Sequence, residues 1–223
     1  VGILEAWEPK KNRDIFYSLL KEAIEKEDCP ICFLLNRGKE RWIDNLLYEH
    51  VTDPNTRERI RSDGFCRRHL WVIFSYSNSH PGLDGLGISI IMQDVLESLI
   101  ERLIRVGSDG KLWGEKCILC ELVAESEENY LASLTSWFEA ELLEAYKTSP
   151  SILCLNHFQS VFSKVKYGCR TALLKTQLDK LEELNRNLRS FISKSAWDAN
   201  ESPTVKEASA KELAAKVLRG GVY

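Results

Sequence analysis

The sequence predicts an all-α protein in which duplicated three-helix units form one pseudo-twofold helical bundle with two metal sites. Three observations carry that expectation. Apolar residues recur at three- and four-residue steps through most of the 223 residues. Six of the seven cysteines and two of the four histidines fall into spaced pairs: Cys29/Cys32, Cys66/His69, Cys117/Cys120 and Cys154/His157. Each later residue lies 88 positions after its counterpart (29 to 117, 32 to 120, 66 to 154, 69 to 157), so C-x2-C-x33-C-x2-H is read twice. Neighbours keep the offset: Leu34 matches Leu122, Glu40 matches Glu128, Leu46 matches Leu134 and Phe74 matches Phe162.

The helices follow in order. "NRDIFYSLLKEAIEKED" places Ile15, Leu19, Leu20 and Ile24 on one face, with Asn12 or Asp14 as cap, and gives an N-terminal helix over 12–28. "PICFLLNRGKERWIDNLLYEHV" continues with Pro30 in a first-turn position. A short helix follows Asp53-Pro54 and closes at Gly64, and "CRRHLWVIFS" opens the next. "NSHPGLDGLG" is the clearest loop; it lacks the lysine and Ser/Thr of a phosphate loop. Residues 88–106 carry Ile88, Ile91, Val95, Leu99, Leu103 and Val106 on a stripe. The offset lays that helix over 176–194, where Leu178, Leu181, Leu184, Leu188 and Ile192 repeat it. "WDANESPT" reads as a linker, and a last helix over 204–219 stops at Gly220 and Gly221. The short linker "GSDGKLWGEK" between repeats 29–107 and 117–195 favours a single domain over 1–223, because three-helix units with broad apolar stripes need each other to bury them.

A C-x-x-C, C-x-x-H set is a tetrahedral donor set: zinc accepts three thiolates and an imidazole, and two-residue gaps let each pair converge on one ion. The candidate ligands are Cys29, Cys32, Cys66, His69, Cys117, Cys120, Cys154 and His157. Both pairs fall near helix N-termini, where free N–H groups and the helix dipole favour thiolate. One zinc per repeat is the simplest assignment, although spacing alone leaves crossed sites open. Iron–sulfur clusters are the alternative cofactor, with electron transfer as the role; a metal-free thiol sensor ranks third. Closed Cys3His sites leave no open coordination position, so catalysis at the metal is not expected.

Composition narrows the classes further. A net charge of −3 implies no polyanion or membrane partner. No apolar run approaches the ~18 residues of a membrane span. An odd cysteine count without an export signal points to the reducing cytoplasm rather than to a disulfide framework. Arg57, Arg59, Arg61, Arg67 and Arg68 surround the first C-x-x-H, while the equivalent stretch carries Glu139, Glu141 and Glu144. Compensation of a centre of net charge −1 is the favoured role of these arginines. The alternatives are an anion or partner surface, nucleic acid being unfavoured, or self-association of a basic unit with an acidic one. His50 reads as a helix-end residue, His80 as a turn residue, Cys169 as a buried small side chain, and Trp42, Trp71 and Trp137 as core.

The segment "CPICFLL…RWIDNLLYEHVTDPNTRERIRSDGFCRRHLW" resembles a prokaryotic family known only as a domain of unknown function. Its members carry C-P-x-C, an "LLYE…V-x-D" stretch and G-F-C-x-x-H, and repeat the cysteine pairs in their second half. The likeness extends to "FI-x-K" at Phe191–Lys194. Ile118 stands in place of the proline, and Ile152-Leu153 in place of Gly-Phe. The resemblance implies the helical fold and the metal sites, and brings no activity with it.

Overall fold

The computed structural model describes residues 14–80, 82–83, 85–105 and 116–220. Among them the chain forms ten α-helices, two π-helical stretches and no strand. They divide into two compact units, a central one (32–128) and a terminal one (14–31 with 129–220).

In the central unit, α2 (Pro30–Asn45) widens into a π-helical stretch over Leu46–His50. It is followed by α3 (Pro54–Ser62), α4 (Arg67–Ser79), α5 (Leu86–Arg105) and the first half of α6 (Ile118–Trp137). Asp53 caps α3 by accepting from the Thr56 N–H at 2.7 Å, and Pro54 needs no partner in the first turn. Gly64 then turns the chain at φ +70°, a left-handed conformation that glycine adopts without strain. The core gathers Ile43, Leu46, Ile60, Phe65, Ile73 and Ile91. The start of α5 lies so close to the π-helical stretch that a Cβ on Gly87 would stand 2.3 Å from the Leu47 carbonyl oxygen. Gly87 is therefore a contact residue inside α5, which begins two residues earlier than its apolar stripe suggests.

The buried face of α5 contains a residue the apolar pattern hides. Asp94 sits between Ile91 and Val95, with its side chain fully out of water. Arg57 reaches it from α3 through Nε and Nη2, both at 2.8 Å, and the Arg61 Nε donates at 2.8 Å. Arg61 also pairs with Glu97 at 2.9 Å. The Ser98 hydroxyl and the Arg102 guanidinium donate to the Arg61 carbonyl, so α5 supplies partners for the open C-terminal end of α3. The Arg57 hydrogen bond, outweighing burial and aided by Arg61, holds the Asp94 carboxyl below the usual carboxylate range.

The terminal unit joins α1 (Ile15–Ile24) to the second half of α6, a π-helical stretch over Phe138–Leu142, α7 (Leu143–Thr148), α8 (Leu155–Lys164), α9 (Tyr167–Lys194) and α10 (Val205–Arg219). Asp14 caps α1 through the Tyr17 N–H at 2.7 Å and accepts from the Ser133 hydroxyl at 2.9 Å. Thr204 and Glu207 form a reciprocal capping box that starts α10. Ile152, Leu184, Ala210 and Val217 form the cluster at which α10 packs on α9.

Several expectations shift. The N-terminal helix ends at Ile24, not residue 28; its buried face is Tyr17, Leu20, Ala23 and Ile24, and Ile15 lies 71% exposed. Asn12, Val106, the inter-repeat linker up to residue 115 and Gly221 lie outside the described residues. Helix α9 starts at Tyr167 and buries Leu173, Thr176, Gln177 and Leu184, while Leu178 and Ile192 face outward. Leu103 on α5 is likewise exposed. Trp137 is core and Trp42 packs against the central cluster, but Trp71 is 65% exposed. Cys169 is only partly covered, being near the open start of α9.

Substituting Asp94→Asn leaves two arginines facing a neutral group. A loss of about 1–3 kcal/mol is expected in urea denaturation, below the cost of breaking a fully buried pair because both arginines retain access to water. The lowered Asp94 pKa means its stabilisation is complete above the unfolded value of ~3.9 and is lost as pH falls through the lower folded value. Asp94→Asn should therefore flatten the acid limb of the stability curve.

Candidate metal centres

The four donor pairs share one local geometry. Cys29, Cys66, Cys117 and Cys154 each immediately precede a helix, while Cys32, His69, Cys120 and His157 are the third residues of α2, α4, α6 and α8. The residue before a helix and the third residue within it turn their side chains toward the same unpaired N–H groups, as in a capping box. The Cys66 sulfur illustrates this by accepting from the His69 N–H at 3.4 Å. Each pair thus places two donors at the positive end of a helix dipole.

The pairs meet crosswise. Cys29 and Cys32 join Cys154 and His157; Cys66 and His69 join Cys117 and Cys120. In each group one ligand atom per residue lies within 4.8 Å of all the others. The simplest expectation, one ion per repeat, is thereby replaced: each C-x-x-C faces the C-x-x-H of the other repeat. Backbone contacts fix both arrangements. The Ile118 N–H donates to the Gly64 carbonyl at 3.3 Å, joining the start of α6 to the approach to Cys66. The Ile152 N–H donates to the Asp28 carbonyl at 3.3 Å, joining the approach to Cys154 to the residue before Cys29.

In the first centre, the His157 Nδ1 stands 3.3 Å from the Cys29 sulfur and 3.2 Å from that of Cys154. All four side chains are buried. Cys29, Cys154 and His157 fall in the terminal unit, and Cys32 follows Cys29 by three residues in the first turn of α2. Gly220, ending α10 at φ +81°, lies against it; a Cβ there would be 3.7 Å from the Cys154 sulfur. Lys216 on α10 pairs with Asp28 at 2.9 Å. Beneath it, buried Tyr146 donates to Gln177, accepts from the Leu153 N–H at 3.0 Å, and Gln177 donates to the Leu153 carbonyl at 2.8 Å. Burial pushes the Tyr146 hydroxyl up, keeping it a donor. These three bonds hold the approach to Cys154.

In the second centre, the His69 Nδ1 lies 3.3 Å from the Cys117 sulfur and 3.2 Å from that of Cys120, and the Cys66 and Cys120 sulfurs are 3.8 Å apart. Cys117 and His69 are buried, Cys66 is partly covered and Cys120 is exposed. Burial, with Arg68 and Lys39 nearby, lowers the His69 pKa and leaves the imidazole neutral. Burial and then the neighbouring Cys117 and Cys66 push the Cys120 thiol up to about 12. Against the opposing effect of burial, the His69 N–H and the neighbouring thiols hold the Cys66 thiol below its ordinary range. The two thiols are thus shifted in opposite directions, and a divalent cation between them would favour the thiolate form of both.

Of the five arginines, Arg57 and Arg61 are committed to Asp94 and Glu97, and Arg59 to Asp63 and Glu121. Arg67 and Arg68 are exposed and carry no ion pair among the described residues. Arg67 borders an apolar groove of about 710 Å³ lined by Leu70, Trp71, Phe74 and Met92. His50 is exposed, and His80 stacks on Tyr76 with ring centroids 3.5 Å apart. No described helix is long and apolar enough to cross a membrane. Asp94 and Tyr146 were absent from the sequence expectations; the available signal was a carboxylate on an apolar stripe for the first, and none for the second.

Residues 13–222 match DUF6062, a family of unknown function. The chain belongs to that family. This DUF6062 chain is also 26% identical, over 208 residues, to an uncharacterised 23.9 kDa protein in the xynA 3′ region of Caldicellulosiruptor sp. (strain Rt8B.4). That similarity covers 89% of this chain and 98% of the relative. No solved structure matches the chain.

Tyr146→Phe removes the acceptor of the Leu153 N–H and the donor to Gln177. A loss of about 1–3 kcal/mol is expected by thermal or urea unfolding, with the metal content of the folded protein unchanged.

Proposed function

We propose that this protein is a zinc-stabilised helical binding or scaffold module, its two ions held by Cys29, Cys32, Cys154 and His157 and by Cys66, His69, Cys117 and Cys120. The observation that carries the reading is that three sulfurs and one imidazole nitrogen converge twice within 4.8 Å. A tetrahedron with Zn–S bonds of ~2.3 Å sets its sulfurs ~3.8 Å apart, which is the Cys66–Cys120 separation. Both sets are complete with four protein donors, which is the pattern of structural rather than catalytic zinc. Iron–sulfur clusters receive less support, because a polynuclear cluster spreads its ligands over several irons and separates them more widely than a single ion does.

The role of each ion follows from the elements it joins. Every centre clamps two helix N-termini and neutralises thiolates that burial and mutual repulsion otherwise disfavour. The exposed apolar residues beside α4 and α5, Trp71 above all, support the binding-module part of the reading. The commitment of Arg57, Arg59 and Arg61 to acidic partners weakens the case for an extended anion surface.

Elemental analysis of the purified protein should give two zinc per chain and no stoichiometric iron. Cys66→Ser or His69→Ala should reduce this to one, as should Cys29→Ser or His157→Ala, with a lowered melting temperature in each case. Zinc content unchanged in either set, or a brown protein absorbing in the visible with bound iron, would overturn the reading.

A further inference from the structure

The two tetrads contain the same donors but differ in what surrounds them. All four side chains of the first are buried, and the end of α10 closes over it at Gly220. In the second, Cys120 is exposed and Cys66 partly so, and these two sulfurs face each other at 3.8 Å. A second, independent observation concerns the histidine of this centre. The Nδ1 of His69 faces the sulfurs, and its Nε2 is buried with no hydrogen-bond partner among the described residues. A ligating imidazole normally donates its other N–H to an acceptor that fixes its ring and strengthens it as a ligand, and loss of that partner typically weakens metal binding ~10–100-fold.

Building on the zinc reading, we propose that Cys66 and Cys120 form an oxidation site for peroxides, so that the second centre releases its zinc while the first retains its own. The Cys66 or Cys120 thiolate attacks one oxygen of the peroxide. The O–O bond breaks, the sulfur becomes a sulfenic acid, and the departing hydroxide takes up a proton to leave as water. The other thiolate attacks that sulfur and displaces a second hydroxide, which is likewise protonated. The two sulfurs lose two electrons to the peroxide, and their separation closes to the ~2.05 Å of a disulfide. Zinc then has only Cys117 and His69 on the protein and departs as the divalent ion. Buried Cys29, Cys32 and Cys154 offer peroxide no equivalent entry.

The test uses the full-length protein loaded with zinc. It is exposed to hydrogen peroxide in the presence of the chromophoric chelator 4-(2-pyridylazo)resorcinol, and its disulfides are mapped by mass spectrometry under non-reducing conditions. One equivalent of zinc should appear about tenfold faster than the other or more, together with a Cys66–Cys120 disulfide. Dithiothreitol followed by zinc should restore the starting state. Release of both equivalents at one rate, or a first disulfide among Cys29, Cys32 and Cys154, would overturn the proposal while leaving the zinc reading intact. A protein that takes up no zinc but still forms the Cys66–Cys120 bond would overturn the zinc reading and keep the oxidation site.

Discussion

Everything that positions chemistry in this protein depends on the conflict between packing three thiols around an imidazole and the charge those thiols must carry to bind a cation. Each donor pair spans a helix start, so eight side chains are held by four helix N-termini. The N–H groups there are the backbone donors an α-helix leaves unused, and they favour anionic sulfur. That assistance is opposed at the second centre, where burial and then the neighbouring sulfurs push the Cys120 thiol up to about 12. A divalent ion at such a site would remove the repulsion and couple its own binding to the helical arrangement.

The rest of the fold can be read as support for those four starts. In the central unit, the Arg57–Asp94–Arg61 contacts fix α3 on α5 immediately before the Gly64 turn into Cys66. In the terminal unit, Tyr146 and Gln177 perform a comparable task for the approach to Cys154 with neutral groups. The first solution is sensitive to acid and the second is not. The apolar cores provide the bulk of the burial, and these polar contacts determine where the helix ends stop.

Much of this was legible in the sequence because donor spacing and helix capping obey the same local rule. A cysteine before a helix and a ligand three residues on is visible in the letters, and so are Asp53-Pro54 and Gly64. The crossed pairing was not legible. Both C-x-x-H pairs have the same internal spacing, so either could complete a given C-x-x-C, and only the tertiary path decides between them. The apolar stripes misled where a helix has more apolar positions than neighbours to cover them: Ile15, Leu103, Leu178 and Ile192 fit the periodicity and still face outward. Asp94 was concealed for the reverse reason, being a charged residue at a core register whose partners lie 33 and 37 positions away.

The crossed pairing also orders events during biosynthesis. The second centre links residues separated by 54 positions, and all its donors have been translated once Cys120 has left the ribosome. The first links residues 128 apart and stays incomplete until His157 follows. A nascent chain can thus bring together its more accessible tetrad early, while the enclosed one is completed only after the donors at Cys29 and Cys32 have waited for Cys154 and His157 to emerge.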